Sequence, residues 1–233
     1  MTPTERNTTY REAYRNGEIS KRYDGRLHMA LTTVLTAGAV LVSAWQIHSP
    51  TVFEWLTIPA AFLVANLVEY LGHRYPMHHA LPGLRAMCLR HAGQHHRFYT
   101  HNFMTADKAC DWQIILFPPV LLAFFLGAIA TPLAALLFVM ASANVAWFFV
   151  GTAAAYCLIY EWMHLAYHQA PTSFLGQRRI VQRLRWLHLV HHDPGKMTKG
   201  NFNITFPIFD ILLGTRLGKA GYKDPGQPDL VNG

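Results

Sequence analysis

Residues 133–160 read LAALLFVMASANVAWFFVGTAAAYCLIY, 28 residues without a formal charge, and Glu161-Trp-Met-His164-Leu-Ala-Tyr-His168 follows at once. As one helix the apolar stretch would be about 42 Å long, against roughly 30 Å of bilayer hydrocarbon, so it should cross a membrane and project about two turns beyond it. Glu161, His164 and His168 continue the projecting end at spacings of three and four, which places them on one helical face. A membrane span that ends in imidazoles is therefore the first expectation.

The rest of the chain repeats the pattern. Upstream, Ile114 to Ala130 (IILFPPVLLAFFLGAIA) is a shorter apolar run, where Pro118-Pro119 should kink or shorten a helix and Thr131-Pro132 should make a tight turn. Leu27 to Gln46 carries no charge, and Trp55 to Leu71 carries only Glu69; Ser49-Pro50 marks a turn between them. The expected fold is an all-α integral membrane protein, with four transmembrane helices in two hairpins over residues 27–46, 55–71, 114–130 and 133–160 and a cytoplasmic, helical, histidine-rich metal-binding cap. A membrane domain of residues 27–215 would follow a polar cytoplasmic segment, 1–26, and precede a flexible tail, 216–233. Phe202 to Leu213 is too short to span, and Pro207 argues against one unbroken helix there.

Composition agrees. Of 233 residues, 52% are hydrophobic and 14% charged, too apolar a balance for an ordinary soluble domain, and the formal charge is +7. Hydrophobic runs separate the basic residues, so the charge does not point to nucleic acid. All 20 Lys and Arg fall in three polar stretches: six before Leu27, five between Gly72 and Asp111, nine after Pro171. By the positive-inside rule that face is cytoplasmic, with both termini on it. Arg178, Arg179, Arg183 and Arg185 should form a solvated face against anionic headgroups, and Trp55, Tyr70, Trp112, Tyr160 and Trp162 should anchor at the interface. The N-terminal residues lack the apolar core of a secretory signal, and Cys88, Cys110 and Cys157 lack metal-site spacing and read as free thiols.

The 14 histidines outnumber the 13 Asp and Glu. Four clusters stand out: His73-Arg-Tyr-Pro-Met-His78-His79, His91-Ala-Gly-Gln-His95-His96, His164-Leu-Ala-Tyr-His168 and His188-Leu-Val-His191-His192. On helices, the pairs His91/His95, His164/His168 and His188/His192 would each present two imidazoles to one point, as would His188/His191. Neutral imidazole is a good ligand for iron and zinc, and so many ligands exceed what one ion can take, which points to a dinuclear site. The expected ligands are His73, His78, His91, His95, His96, His164, His168, His188, His191 and His192. His79 and His101 either join them or support them, and isolated His28 and His48 are interfacial. Glu69 and Glu161, one turn from His73 and His164, and Asp193, next to His192, could accept the second N–H of a ligating ring. Soluble di-iron bundles use two Glu-x-x-His repeats and further Glu; Glu161-Trp-Met-His164 is the one match here, so histidine must replace most carboxylates.

These boxes, in this order, resemble the fatty acid hydroxylase and sterol desaturase superfamily, membrane proteins with a non-haem di-iron centre. The match runs from about Glu69 to Thr215. Glu69-Tyr-Leu-Gly-His73-Arg with His78, and Phe117-Pro118-Pro119, look like the first box and third span of the fatty acid 2-hydroxylase branch. Tyr160-Glu161-x-x-His164-x-x-x-His168 and His188-x-x-His191-His192 are similar to the last two boxes. Asn201-Phe202-x-x-Thr205 and Asp210-x-x-x-Gly214-Thr215 are similar to its closing segment. Three residues separate His91 from His95 where that branch usually has two, which leaves open whether His95 or His96 takes a given ligand position. Asn203 stands where glycine is common, and the stretch from Arg97 to Asp111 is longer than expected.

The resemblance implies two Fe ions, with zinc as a possible substitute in isolated protein, O2 as co-substrate, and hydroxylation of a fatty acyl chain or related lipid at the bilayer. Without a Gly-x-Gly-x-x-Gly fingerprint or enough cysteines for a cluster, electrons would come from a separate ferredoxin-like or cytochrome b5-like donor. Two alternatives stand beside this: a sterol or carotenoid hydroxylase or desaturase of the same superfamily, and a histidine-rich metal transporter or sensor. Transporters place ionisable ligands near mid-membrane, whereas here the spans contain no histidine away from their ends.

Overall fold

The computed structural model describes residues 2–218, which are helical apart from loops and one isolated bridge between Thr100 and Phe103. Helix α1, Pro3–Gly17, opens on a capping box in which Thr2 and Glu5 satisfy each other's backbone N–H groups. Helix α2, Gly25–Gln46, is capped by Asp24, whose carboxylate accepts from the amides of Arg26 and Leu27. A turn at Val52–Trp55 leads into α3, Thr57–Arg74. A helical run over residues 85–98, α4, is α-helical at Arg85–Cys88, π-helical at Leu89–His95 and closes with a turn at His96–Phe98. A 3₁₀ turn, Ala109–Ile114, precedes α5, residues 119–140. Then come α6, Ala143–Tyr167, α7, Arg179–His191, and the short α8, Ile208–Leu212.

Four candidate spans result: Gly25–Gln46, Val52–Arg74, Ala109–Met140 and Ala143–Tyr167. Helix α6 packs against α2, α3 and α5. Its contact with α2 is close because the residues are small: a Cβ on Gly151 would stand 3.0 Å from the Ser43 Cβ. Outward-facing side chains such as Val34, Leu41, Trp45, Val120 and Val139 are apolar and exposed, the surface a bilayer requires.

The third and fourth spans correct the sequence expectation. Thr131-Pro132 makes no turn; α5 runs through it, and the chain reverses at Ala141-Ser142, inside the stretch expected to be one helix. Proline lacks an N–H and crowds the preceding turn. Here the preceding segment, Phe124–Ala130, has widened to π-helix, and the Thr131 hydroxyl donates to the Leu126 carbonyl at 2.9 Å. The real break is built from polar groups: Ser142 caps α6 by accepting from the Val145 amide and bonds Glu54, while Asn144 accepts from the His48 amide and donates to the His48 carbonyl. These bonds join the two hairpins at the end remote from the histidine clusters.

Three smaller corrections follow. Arg185 is buried, so only Arg178, Arg179 and Arg183 form the exposed basic face. Tyr70 and Tyr160 are buried too, Tyr70 edge-on to Phe202 and Tyr160 stacked on Phe117, rather than interfacial anchors. Leu217 is held at the start of the expected tail, its amide bonding the Asn201 side chain; residues 219–233 of that tail lie outside the described residues.

At the histidine end, α1 lies across residues 97–111. The Arg15 guanidinium pairs with the fully buried Asp111 at 2.7 and 2.8 Å and with the half-exposed Asp107. Arg15→Ala leaves the Asp111 carboxylate buried without its cation, at a cost on the order of 3 kcal/mol. We expect a clearly lower apparent melting temperature in detergent, with Asp107→Asn shifting it by much less.

Candidate metal centre

The ends of α3, α4, α6 and α7 converge, and with them the histidine clusters. All ten expected ligands are buried. Two groups form. In one, ring nitrogens of His73, His78, His91, His96 and His191 all lie within 4.8 Å of one another; in the other, those of His95, His168, His188 and His192 do. His164 stands beside the second group, its Nε2 3.3 Å from that of His95. His79 is exposed and His101 half-buried, and neither belongs to a group.

Backbone geometry decides the partition. Over Leu89–His95 the helix is of π type, with bonds to the fifth residue, so equivalent positions recur later than in an α-helix. His91 therefore meets His96, Nε2 to Nε2 at 3.0 Å, and His95 turns to the other group. The expected convergence of His91 with His95 is overturned, and both His95 and His96 enter the site, in different groups. On α-helical α7, His188 and His192 do converge at 3.0 Å, while His191 faces His78 at 3.0 Å.

Each group is oriented by carbonyl oxygens. In the first, His73 Nδ1 donates to the Phe202 carbonyl at 2.6 Å and His191 Nδ1 to that of Gly200 at 3.0 Å. In the second, His95 Nδ1 donates to Ile114 at 3.0 Å, His168 Nδ1 to Met104 at 2.8 Å and His192 Nδ1 to Tyr99 at 2.5 Å. A ring whose Nδ1 carries the proton offers only a lone pair at Nε2. Burial pushes His78 down to about 2 and holds His91, His95, His96, His168, His188, His191 and His192 well below the usual imidazole range, so these rings are neutral near pH 7. His95 and His192 then face each other at 3.2 Å with two lone pairs and no proton between them. That contact is repulsive unless a cation is shared. With metal–imidazole distances of about 2.0–2.1 Å, ligands at right angles sit about 3 Å apart, the spacing of His73/His91, His91/His96 and His78/His191 in one group and of His168/His188 and His188/His192 in the other. The donor set fits metal ions.

Glu69 and Glu161 turn their carboxylates to backbone amides and hydroxyl groups. Glu69 accepts from the Ile204 and Thr205 amides, the Thr205 hydroxyl and Tyr156. Glu161 accepts from the Phe117 amide at 3.1 Å, and Asp193 from the Gly195 amide in a turn. Two of these carboxylates brace loops: Glu69 holds residues 204–205, next to the carbonyl that orients His73. The residues missed from sequence are those orienting carbonyls, since every residue has one, and their braces. Asp210 accepts from the Phe202 and Asn203 amides, and Asn201, in the left-handed region at φ 58°, bonds the Leu187 carbonyl and the Leu217 amide.

Beside the histidines lies a cavity of about 190 Å³, almost wholly apolar, walled by Met77, Met87, Ile114, Phe117, Leu121 and Tyr160. His91, His95 and His164 form part of its lining, and so does Val120, which is exposed on the membrane face of α5.

A family model described as fatty acid hydroxylase matches residues 58–215. The chain therefore belongs to the fatty acid hydroxylase family, which makes it an oxidoreductase of lipid substrates. It is also similar in fold to the solved structure of full-length Scs7p, in which only the hydroxylase domain is visible. Identity is 19%, TM-score 0.58, and the similarity covers 83% of this chain and 68% of that one. No curated protein matches in sequence.

Glu69→Ala would leave two amides and two hydroxyls competing for lost acceptors in a buried place, a loss on the order of 3 kcal/mol. We expect a lower apparent melting temperature for Glu69→Ala and a smaller drop for Glu69→Gln, which keeps one acceptor oxygen.

Proposed function

We propose that this chain is a membrane di-iron oxygenase that hydroxylates a lipid, a fatty acyl chain or a close relative, using O2 and electrons from a separate ferredoxin-like or cytochrome b5-like donor. The observation that carries the metal is the His95–His192 contact, two proton-free nitrogens at 3.2 Å within a wholly buried cluster of neutral rings. On this reading, His73, His78, His91, His96 and His191 hold one ion, and His95, His168, His188 and His192 hold the other with His164 beside them. Iron, when bound, supplies the activation of O2 and the oxidation of a C–H bond.

The residues of the chain do the rest. Backbone carbonyls orient His73, His95, His168, His191 and His192, so the Nε2 lone pairs of these five rings point inward before any ion arrives. The apolar cavity, reaching from Val120 on the membrane face to His91, His95 and His164, receives the acyl chain and keeps water from the reacting carbon. A headgroup left at the bilayer surface would meet the exposed Arg178, Arg179 and Arg183. The same basic face suits an acidic electron donor, and by the positive-inside rule it is cytoplasmic.

Two measurements test the reading. Purified protein should hold about two irons per chain, and His168→Ala or His192→Ala should lower that content and abolish turnover; full activity in both would refute the ligand assignment. Lipid extracts from cells with and without the protein, grown under 18O-labelled O2, should differ by a lipid carrying one labelled hydroxyl. A protein that retains its iron while every lipid stays unlabelled would remove the hydroxylase reading.

A further inference from the structure

The carbonyls that orient the two groups of histidines come from different parts of the chain. His73 and His191 rely on residues 200–202, which Asp210 and Asn201 brace. His95, His168 and His192 rely on carbonyls of Ile114, Met104 and Tyr99, all within residues 99–114. That second segment is clasped by α1, which lies outside the region matched by the family model.

The clasp is specific. Arg11 is buried against the rings of Phe98 and Tyr99, with its guanidinium carbon 4.9 and 5.2 Å from their centroids. Its Nε donates to the Phe98 carbonyl at 2.9 Å, Nη1 to Thr105 at 3.0 Å, and Nη2 to Phe103. Those carbonyls flank Tyr99 on one side and Met104 on both. Asn7 adds bonds to the carbonyls of Arg97 and Phe98, at 3.3 and 3.2 Å. A planar cation with donors on all three nitrogens thus holds the peptides that adjoin the two whose oxygens aim His192 and His168.

We infer that the two metal positions are anchored independently, and that Arg11 of α1, assisted by Asn7, is the positioning residue for the position formed by His95, His168, His188 and His192. This rests on the metal reading above. Orienting partners of metal-bound histidines are typically worth 10–100-fold in metal affinity. Arg11→Ala should therefore weaken one of two ions by about that factor and spare the other.

The test uses the full chain in detergent, with Co(II) as the probe. Two backgrounds separate the positions: His78→Ala breaks one group and His188→Ala the other, and neither ring's Nδ1 has a bond to an anchoring segment. Arg11→Ala should strip the remaining cobalt from His78→Ala and leave that of His188→Ala in place. Asp210→Asn should do the reverse. In the otherwise unaltered chain, Arg11→Ala should remove the ligand-field absorption of one site only. Equal loss in both backgrounds would mean general destabilisation and would overturn the inference, as would unchanged affinity in both. If Arg11→Ala does not fold, Asn7→Ala should give the same asymmetry with a smaller shift, and a symmetrical effect there overturns the inference equally. Failure of the unaltered chain to bind two cobalt ions would instead overturn the metal reading and take this one with it.

Discussion

Two neutral imidazoles that have both given their Nδ1 protons to carbonyls cannot hydrogen-bond to each other through Nε2. His95 and His192 are in this position at 3.2 Å, and most of the molecule can be understood as the means of holding them and their neighbours there. Burial keeps the rings uncharged, since a protonated imidazole in this interior would lack both water and a carboxylate. The carbonyls choose the tautomer, and the segments bearing them are braced in turn by Glu69, Asp210 and Arg11. The scarcity of acid in the composition acquires a structural sense: the carboxylates nearest the rings support backbone.

The membrane helices supply the rigid frame. Three of the four ligand-bearing elements are helix ends, α3, α6 and α7, and two of these continue candidate spans. Polar bonds among Glu54, Ser142, Asn144 and His48 tie the hairpins together at the far end, which sets how α3 and α6 deliver His73, His164 and His168 at the near end. The interior between α2 and α6 contains small and hydroxyl-bearing residues, where shape rather than hydrophobicity must hold helices together.

Much of this was legible in the residues. Charge-free runs of helical length reveal spans because a bilayer tolerates little else, and four histidine clusters at spacings of three to five residues already pointed to a metal centre. What sequence hid was backbone. Thr131-Pro132 resembles a turn, yet a helix that widens to π-type over Phe124–Ala130 passes through it. Ala141-Ser142 breaks the chain without disturbing hydropathy. The second π-helical stretch, Leu89–His95, exchanges the partners of His91 and His95, and spacing read at 3.6 residues per turn cannot anticipate that. Glu69 and Glu161 do lie one turn from histidines, but position on a face does not fix where a carboxylate points when unsatisfied amides lie closer.

The distribution of the histidines along the chain also imposes an order in time. His78 waits for His191, and His95 for His192, partners separated by 113 and 97 residues. A ribosome that has made both hairpins has still not produced His188, His191 or His192, so neither ligand group can close until nearly all of the described chain has emerged. Until then the earlier imidazoles sit at the mouth of a half-built bundle, open to water and to protons. Closure of the site thus follows the synthesis of all four candidate spans rather than seeding it, and the membrane helices can find one another without help from the ions they will enclose.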